Sequence, residues 1–272
     1  MPLLVADIGN SHTVLGLLEP GAEGAAGPAP AQGAVTQDWR IATDERRTAD
    51  EWAVLLRGLL GRARDDLDGI AVCSTVPAVL HEWRDMLTGH FPDVPHVVVE
   101  PGVRTGIPIL VDNPREVGSD RILNALAVAT FFSGPAVVVD FGGTATTFDV
   151  VSAKGEYVGG AIAPGLEISL EALGRRGAQL RKVELARPRT VVARNTVEAL
   201  QSGMVFGTAA QVEGLVARMV AELGVPAADV RVISTGYLAP LVVGECGCFT
   251  DHSPWLTLQG LGLIFTRNVK NS

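Results

Sequence analysis

Residues 136–151 read AVVVDFGGTATTFDVV. A β-branched apolar run ends at Asp140, turns through Gly142 and Gly143, and resumes after a group of threonines. The pattern predicts a strand, a tight turn and a second strand. Glycines in such a turn leave backbone N–H groups open to an anion, and an acid at the strand end suits a cation. Taken alone, the stretch favours a phosphate and cation site no more than a plain solvated hairpin with glycine in its turn.

A second stretch, LLVADIGNSHTVLGLL at residues 3–18, has the same build without a gap. Asp7 aligns with Asp140, and the two acids are separated by about half of the 272-residue chain. The further aligned pairs are Gly9 with Gly142, Asn10 with Gly143, Ser11 with Thr144, and Thr13 with Thr146. A repeat of this kind is best explained by duplication of half the chain. Two such turns facing each other would clamp the phosphates of a nucleotide.

Paired Asp-x-Gly hairpins, one in each half, resemble the sugar kinase, heat-shock chaperone and actin superfamily. The resemblance implies an α/β fold of two actin-like, ribonuclease H-like halves, with mixed sheets flanked by helices. We expect an N-terminal domain at 1–115 and a C-terminal domain at 116–272, with a cleft between Asp7 and Asp140.

Composition narrows the function classes. The chain is 47% hydrophobic and 19% charged, with a formal charge of −8, so a nucleic acid is not expected as the main partner. No leader pattern and no apolar stretch of 18 residues occurs, so no membrane partner is expected. The three cysteines are odd in number and lack metal-ligand spacing, which favours reduced thiols in the cytoplasm.

The first half alternates strands and helices, as expected for a mixed sheet covered by helices. Residues 20–33 are rich in Gly, Pro and Ala and are interpreted as a flexible loop between strands. Residues 48–64 form a predicted amphipathic helix with Thr48 as its N-cap.

Residues 115–132 predict a long helix so apolar that it must pack against another chain or a deep core. Within this stretch Gly118 and Ser119 fit a turn and an N-cap, so Asp120 falls in the first turn of the helix. An acid is favourable there on helix grounds alone, and that interpretation is favoured in isolation. The functional alternative is a carboxylate that accepts a proton from a substrate hydroxyl attacking a γ-phosphate.

The second half continues with a glycine-rich turn leading into a helix from about Leu166. Asn195 or Thr196 caps the next helix, with Thr196 as the favoured N-cap, and residues 207–223 predict a further helix. A strand at 230–233 ends at Ser234-Thr235-Gly236, the place where adenosine would lie in an actin-like half.

The whole chain, apart from the loop at 20–33, resembles the type III pantothenate kinase family in its actinobacterial form. Five motifs occur in the family's order: Asp7-Ile8-Gly9-Asn10-Ser11-His12-Thr13, Gly118-Ser119-Asp120-Arg121, Asp140-Phe141-Gly142 with the following threonines, Gly159-Gly160-Ala161-Ile162-Ala163-Pro164-Gly165, and Asn195-Thr196-Val197-Glu198. The resemblance implies ATP-dependent phosphorylation of pantothenate at its 4′-hydroxyl, the first step of coenzyme A synthesis. It also implies a homodimer, Mg²⁺, and a monovalent cation, K⁺ or NH₄⁺.

The resemblance further implies the role of each matching residue. Asp120 would be the catalytic proton acceptor, and Asp140 would hold the monovalent cation. ATP would be bound by Asp7, Ile8, Gly9, Asn10, Ser11, His12, Thr13, Val14, Gly143 and Thr144. Pantothenate would be bound by Gly118, Ser119, Asp120, Arg121 and Thr196.

Three positions depart from the family pattern. An extra glycine makes Gly142-Gly143, Tyr237 replaces a glycine near the adenosine, and Arg194 replaces a lysine. The extra glycine either bulges the turn or shifts the threonines by one place, and Tyr237 either stacks on adenine or excludes it. Two other functions stay open on these grounds: a paralogue that binds without turnover, and a kinase for another small alcohol.

Overall fold

The computed structural model describes residues 2–19, 33–176 and 183–270. The predicted loop at 20–33 falls outside the described residues except for Gly33. The strands are β1 (Leu3–Ile8), β2 (His12–Glu19), β3 (Ala34–Ala42), β4 (Gly69–Ser74), β5 (His96–Val98), β6 (Ala136–Asp140), β7 (Ala145–Val151), β8 (Tyr157–Pro164), β9 (Arg231–Thr235) and β10 (Asp251–His252). The α-helices are α1 (Ala49–Leu60), α2 (Pro77–His90), α3 (Ser119–Phe131), α4 (Leu166–Arg176), α5 (Thr196–Glu222), α6 (Ala239–Val242) and α7 (Leu256–Phe265).

The chain divides into two compact units. The first contains residues 1–108, 112–132 and 255–272, and the second contains residues 109–111 and 133–254. These units differ from the domains expected at 1–115 and 116–272, because α3 and the C-terminal α7 pack on each other and α7 packs on β1 and β4. A sequence boundary follows chain order, whereas a compact unit follows packing.

The first unit has a five-stranded mixed sheet in the order β3-β2-β1-β4-β5. The central strand β1 is antiparallel to β2 and parallel to β4, and its residues Leu4, Val5 and Ala6 are fully buried. Asp7 follows this buried run, so the central strand carries the acid toward its C-terminal end.

Helices cover the sheet of the first unit. The core formed with α1 and α2 contains Trp52 and Trp83, whose rings lie 5.3 Å apart. Thr48 caps α1 as predicted, in a capping box with Glu51. The apolar residues of α3 are buried in this unit, where Asn124 accepts a 2.8 Å hydrogen bond from Thr257 of α7. A deep core therefore accounts for the apolar character of α3.

The second unit repeats this plan in the order β10-β9-β6-β7-β8. Its central strand β6 is antiparallel to β7 and parallel to β9, as β1 is to β2 and β4. Asp7 pairs with Val14 and Asp140 pairs with Thr147, which is the register that the ungapped sequence repeat requires. The fold is therefore two mixed sheets of the same plan flanked by helices, as predicted.

Two local predictions were wrong. Asn195 is the N-cap of α5 and accepts a 2.9 Å hydrogen bond from the backbone N–H of Glu198, so Thr196 is the first helical residue. The predicted separate helix at 207–223 is part of α5, which runs unbroken over 27 residues. An isolated glycine such as Gly207 lowers helix stability by only about 1 kcal/mol, and packing of Ala209, Val212 and Val216 into the core offsets that cost. Within the described segments, every helix is too short or too polar to cross a bilayer.

Candidate functional site

The turn that follows β1 is fixed by local hydrogen bonds. The backbone N–H of Gly9 donates to the carbonyl of His12 at 3.0 Å, which closes the turn. Thr43, just after β3, donates from its hydroxyl to the carbonyl of Gly9 at 2.7 Å, and its backbone N–H donates to the carbonyl of Ser11 at 3.0 Å. Asn10 and Ser11 are exposed at the tip, so the turn is held rigid from one side and open on the other.

The side chain of Thr13 belongs to the support of this turn. It is fully buried, and its hydroxyl lies 2.9 Å from the hydroxyl of Thr43. Its hydroxyl is therefore already engaged within the protein.

Asp7 lies beside a buried thiol. Cys73 of β4 pairs with Asp7 in the parallel ladder, and its Sγ donates to Asp7 Oδ1 at 3.2 Å. Burial raises the pKa of the Cys73 thiol well above its ordinary value, and the nearby carboxylates of Asp7 and Asp120 raise it further. The thiol thus stays protonated and remains a donor. Asp7 and Asp120 therefore both lie within electrostatic reach of the Cys73 thiol.

Asp120 is set at the start of α3 in a desolvated position. Burial raises its pKa, while a hydrogen bond from the backbone N–H of Arg121 and the charge of Arg121 oppose that rise. The carboxylate folds back over Gly118, where an added Cβ would lie 2.4 Å from Asp120 Oδ1. Gly118 is therefore needed for this rotamer. A carboxyl with a raised pKa is a stronger base than an exposed aspartate.

Ser119 presents an unused polar atom next to this acid. Its Oγ is buried and has no hydrogen-bond partner among the described residues. Buried polar atoms in proteins are nearly always satisfied, so such an atom indicates a group supplied from outside the chain. The atom lies in the first turn of α3, beside Asp120; the substrate-binding role expected for residues 118–121 stays a prediction.

The second unit builds its turn from close glycine contacts. A Cβ on Gly142 would lie 2.9 Å from Asp140 Oδ1, and one on Gly236 would lie 2.5 Å from the same oxygen. The Asp140 carboxylate is therefore enclosed by bare backbone from two segments, the turn after β6 and the turn after β9. Gly143 has φ +125°, a conformation that L-residues rarely adopt.

The extra glycine leaves the hairpin register of the first repeat unchanged. Pairing of β6 with β7 is continuous from Ala136 with Val151 to Asp140 with Thr147. Thr146 is fully buried, as its counterpart Thr13 is, so the threonines face the same way in both units. Thr13 has Thr43 as partner, whereas the hydroxyl of Thr146 has no partner among the described residues.

Two further residues lie against this turn. Tyr237 donates from its hydroxyl to Glu167 Oε2 at 2.6 Å, and its ring edge lies 3.7 Å from the position of a Cβ on Gly143. Gly165 donates from its backbone N–H to the carbonyl of Thr144 at 2.9 Å. The residue that departs from the family glycine thus lies beside the extra glycine.

Thr196 is exposed at the first position of α5 in the second unit. Because Asn195 makes the N-cap bond, the Thr196 hydroxyl is not used for capping. Thr196 and the segment 118–121 belong to different compact units.

The donor atoms fit hard cations. Asp7 and Asp140 offer carboxylate oxygens beside turns rich in backbone oxygens, which is the ligand type that Mg²⁺ and K⁺ prefer. Within 2–19, 33–176 and 183–270, no group of three or more His, Cys, Asp or Glu is placed to hold a metal. Each acid would therefore supply one ligand, and the nucleotide phosphates, backbone oxygens or water would supply the others.

Several supporting residues escaped prediction from the sequence. These residues form hydrogen bonds with partners that are tens of residues away in the sequence, and they are Cys73, Thr43, Glu167 and Tyr237. Only Tyr237 carried a signal, as a departure from the family pattern.

Two mixed sheets of one plan, each with a carboxylate and a glycine turn on its central strand, define a protein with the predicted fold of two actin-like halves. A solved structure agrees: a Campylobacter jejuni protein described as a Baf family transcriptional activator matches with a TM-score of 0.56. It covers 98% of this chain and 99% of its own at 16% identity, so it shows the fold alone.

The family follows from the sequence comparisons. The family model for type III pantothenate kinase matches residues 3–218. A type III pantothenate kinase from Nocardioides sp. is 72% identical over 99% of this chain and 100% of its own length. One from Streptomyces avermitilis is 57% identical over the same shares. The chain belongs to the type III pantothenate kinase family.

Proposed function

We propose that the protein catalyses ATP-dependent phosphorylation of pantothenate to 4′-phosphopantothenate, the first step of coenzyme A biosynthesis. Membership of the family and full-length relatives of that name support this activity. The structural observation that supports it is the buried Cys73 thiol. This thiol donates a hydrogen bond to Asp7, and the charge of Asp120 raises its pKa. The acid of the phosphate turn and the acid with the raised pKa therefore lie within electrostatic reach of the same thiol in one unit.

Each residue would contribute through position and charge. The turn from Asp7 to Val14 and the turn at Gly143 and Thr144 would bind ATP phosphates with backbone N–H groups and exposed hydroxyls. Gly118, Ser119, Arg121 and Thr196 would orient pantothenate. Asp120 would accept the 4′-hydroxyl proton as that oxygen attacks the γ-phosphorus, and the bond to the β–γ bridging oxygen breaks.

Cations complete the site in this proposal. Mg²⁺ bound near Asp7 and K⁺ or NH₄⁺ bound by Asp140 would neutralise phosphate charge. The closeness of Gly142 and Gly236 to Asp140 supports the latter role, because it brings glycine backbone, a source of carbonyl ligands, beside the carboxylate.

We also infer a homodimer in the cytoplasm. Apart from Val54, the exposed large apolar residues among those described lie in the second unit. They are Leu110, Val158, Ile162, Ile168, Leu173, Val191, Val192 and Val197. Exposed apolar surface of this kind favours association with a second copy. The three cysteines are free thiols, which supports a reducing compartment.

One coupled assay tests the activity. ADP release is measured in potassium buffer with excess Mg²⁺ and ATP, with pantothenate, without it, and with other small alcohols. Pantothenate-dependent release supports the proposal. Release only with another alcohol would reassign the acceptor, and nucleotide binding without release under any condition would indicate a binding protein.

A further inference from the structure

The turn between β6 and β7, at Gly142, Gly143 and Thr144, is here called the second phosphate turn. It needs support from outside its own sequence. Gly142 and Gly143 are adjacent, and consecutive glycines have more backbone freedom than other residues. Gly143 adopts φ +125°, one of several conformations that glycine reaches at low cost. The hairpin register alone does not fix this peptide, because the paired residues end at Asp140 and Thr147.

One side of the turn is held by the start of α4. Gly165 donates to the carbonyl of Thr144 at 2.9 Å, and a Cβ on Gly165 would lie 2.0 Å from the carbonyl oxygen of Gly143. The two backbones are thus in direct contact. Glu167 lies two residues further on, in the first turn of α4.

The other side is held by the turn after β9. The backbone of Gly236 packs against Asp140 and Phe141, and Leu238 donates to the carbonyl of Phe141 at 3.3 Å. Tyr237, between these two anchored residues, extends its ring past Gly143. Its hydroxyl donates to Glu167 Oε2 at 2.6 Å, a length typical of an O–H···O⁻ bond.

We propose that the Tyr237–Glu167 hydrogen bond is a clasp that holds the second phosphate turn in its nucleotide-binding conformation. Both are positioning residues that determine affinity for the nucleoside triphosphate and leave affinity for the acceptor alcohol unchanged. The clasp rests on the proposed function, since it assigns the turn at Gly143 to nucleotide phosphates. It joins the extra glycine and Tyr237, two of the three departures from the family pattern, in one device.

The clasp acts by changing the fraction of molecules whose turn is competent to bind nucleotide. When the binding-competent turn is only partly populated, the apparent dissociation constant rises in inverse proportion to that fraction. Loss of the clasp leaves Gly142 and Gly143 free to sample other conformations. Nucleotide binding then has to order the turn, and the affinity falls.

The test is titration calorimetry with the β,γ-imido analogue of ATP in excess Mg²⁺, together with steady-state kinetics. Tyr237→Phe keeps the ring and removes the hydroxyl, and we expect it to weaken analogue binding about 3- to 20-fold. Glu167→Ala should weaken it to a similar degree. The KM for pantothenate should stay within about 2-fold of wild type in both variants. Glu167→Gln keeps an oxygen acceptor for Tyr237 and should restore most of the affinity.

A double variant separates a clasp from two independent effects. Tyr237→Phe combined with Glu167→Ala should bind no more weakly than the weaker single variant, because both remove the same bond. Additive losses would overturn the clasp.

The matched control is the other tyrosine of the chain. Tyr157 in the same unit also donates to a carboxylate, Asp149 Oδ1 at 3.1 Å, and is buried. Tyr157→Phe should lower the Tm and leave analogue binding unchanged.

The inference is overturned if Tyr237→Phe binds the analogue like wild type, or if wild type does not bind it at all. It is equally overturned if affinity for pantothenate falls in step with affinity for the nucleotide. Should wild type bind the analogue yet show no pantothenate-dependent ADP release, the proposed function fails while the clasp is still tested by binding.

Discussion

Asp120 is held in surroundings that make it a better base than an exposed aspartate. Burial raises its pKa, and Gly118 leaves room for its carboxylate to fold back. Asp120→Asn is expected to lower kcat about 10²- to 10⁴-fold, because proton acceptance is lost while shape is kept. The KM values for ATP and pantothenate should stay within a few-fold. Initial-rate kinetics check this, and near-normal turnover would remove Asp120 from the role of base.

The burial that is expected to make Asp120 useful in catalysis also lowers the stability of the folded protein when this carboxyl is charged. Because the folded-state pKa of Asp120 lies above its ordinary value of 3.8, the folded protein binds this proton more tightly than the unfolded chain. This contribution to the free energy of unfolding is present at low pH and is lost as pH rises through the raised pKa. Asp120→Asn should therefore have a higher Tm than wild type near pH 8, with the difference shrinking toward pH 4. An unchanged difference across the range would contradict the assigned cause.

Cys73 is expected to support Asp7 by donating a hydrogen bond. Cys73→Ala removes the donor that contacts Asp7 Oδ1, and we expect the KM for ATP to rise about 3- to 10-fold. Cys73→Ser keeps a donor of similar size and should stay closer to wild type. A matched loss in both variants would show that packing of the sulfur, and not its hydrogen bond, is what matters there.

The start of α5 gives a prediction for a whole element. Asn195 bonds to the Glu198 N–H at 2.9 Å, so Asn195→Ala should lower the free energy of unfolding by about 0.5–2 kcal/mol. Asn195→Ser keeps a capping oxygen and should recover most of that loss. Denaturant unfolding measures both variants. Equal stability of Asn195→Ala and wild type would show that the cap contributes nothing to α5.

Elements with a strong local pattern could be predicted from the sequence, whereas their spatial partners could not. The hairpins around Asp7 and Asp140, and the capping box at Thr48, follow from spacing and turn chemistry within a few residues. The cap of α5 was assigned to Thr196 because Asn and Thr are adjacent and both are good caps; only the backbone geometry separates them. The pairing of Asp7 with Cys73 depends on which strand lies beside β1, which no local pattern encodes.

At the scale of the whole molecule, the uneven distribution of apolar surface predicts how copies associate. The eight exposed large apolar residues of the second unit named above are called the apolar set. Val192 belongs to this set and is 84% exposed, whereas Val54 is 66% exposed on α1 of the first unit. Burying a valine side chain contributes about 1.5–3 kcal/mol, so placing a charge at an interface position costs at least that much.

Val192→Asp is therefore expected to shift the protein from dimer toward monomer at micromolar concentration, as measured by sedimentation equilibrium. Val54→Asp adds the same charge at a similarly exposed valine outside the apolar set and should leave the dimer intact. Circular dichroism and Tm establish that both variants are folded, since neither side chain belongs to a core. A wild-type monomer at these concentrations, or dissociation by Val54→Asp alone, would place the apolar set outside any interface between copies.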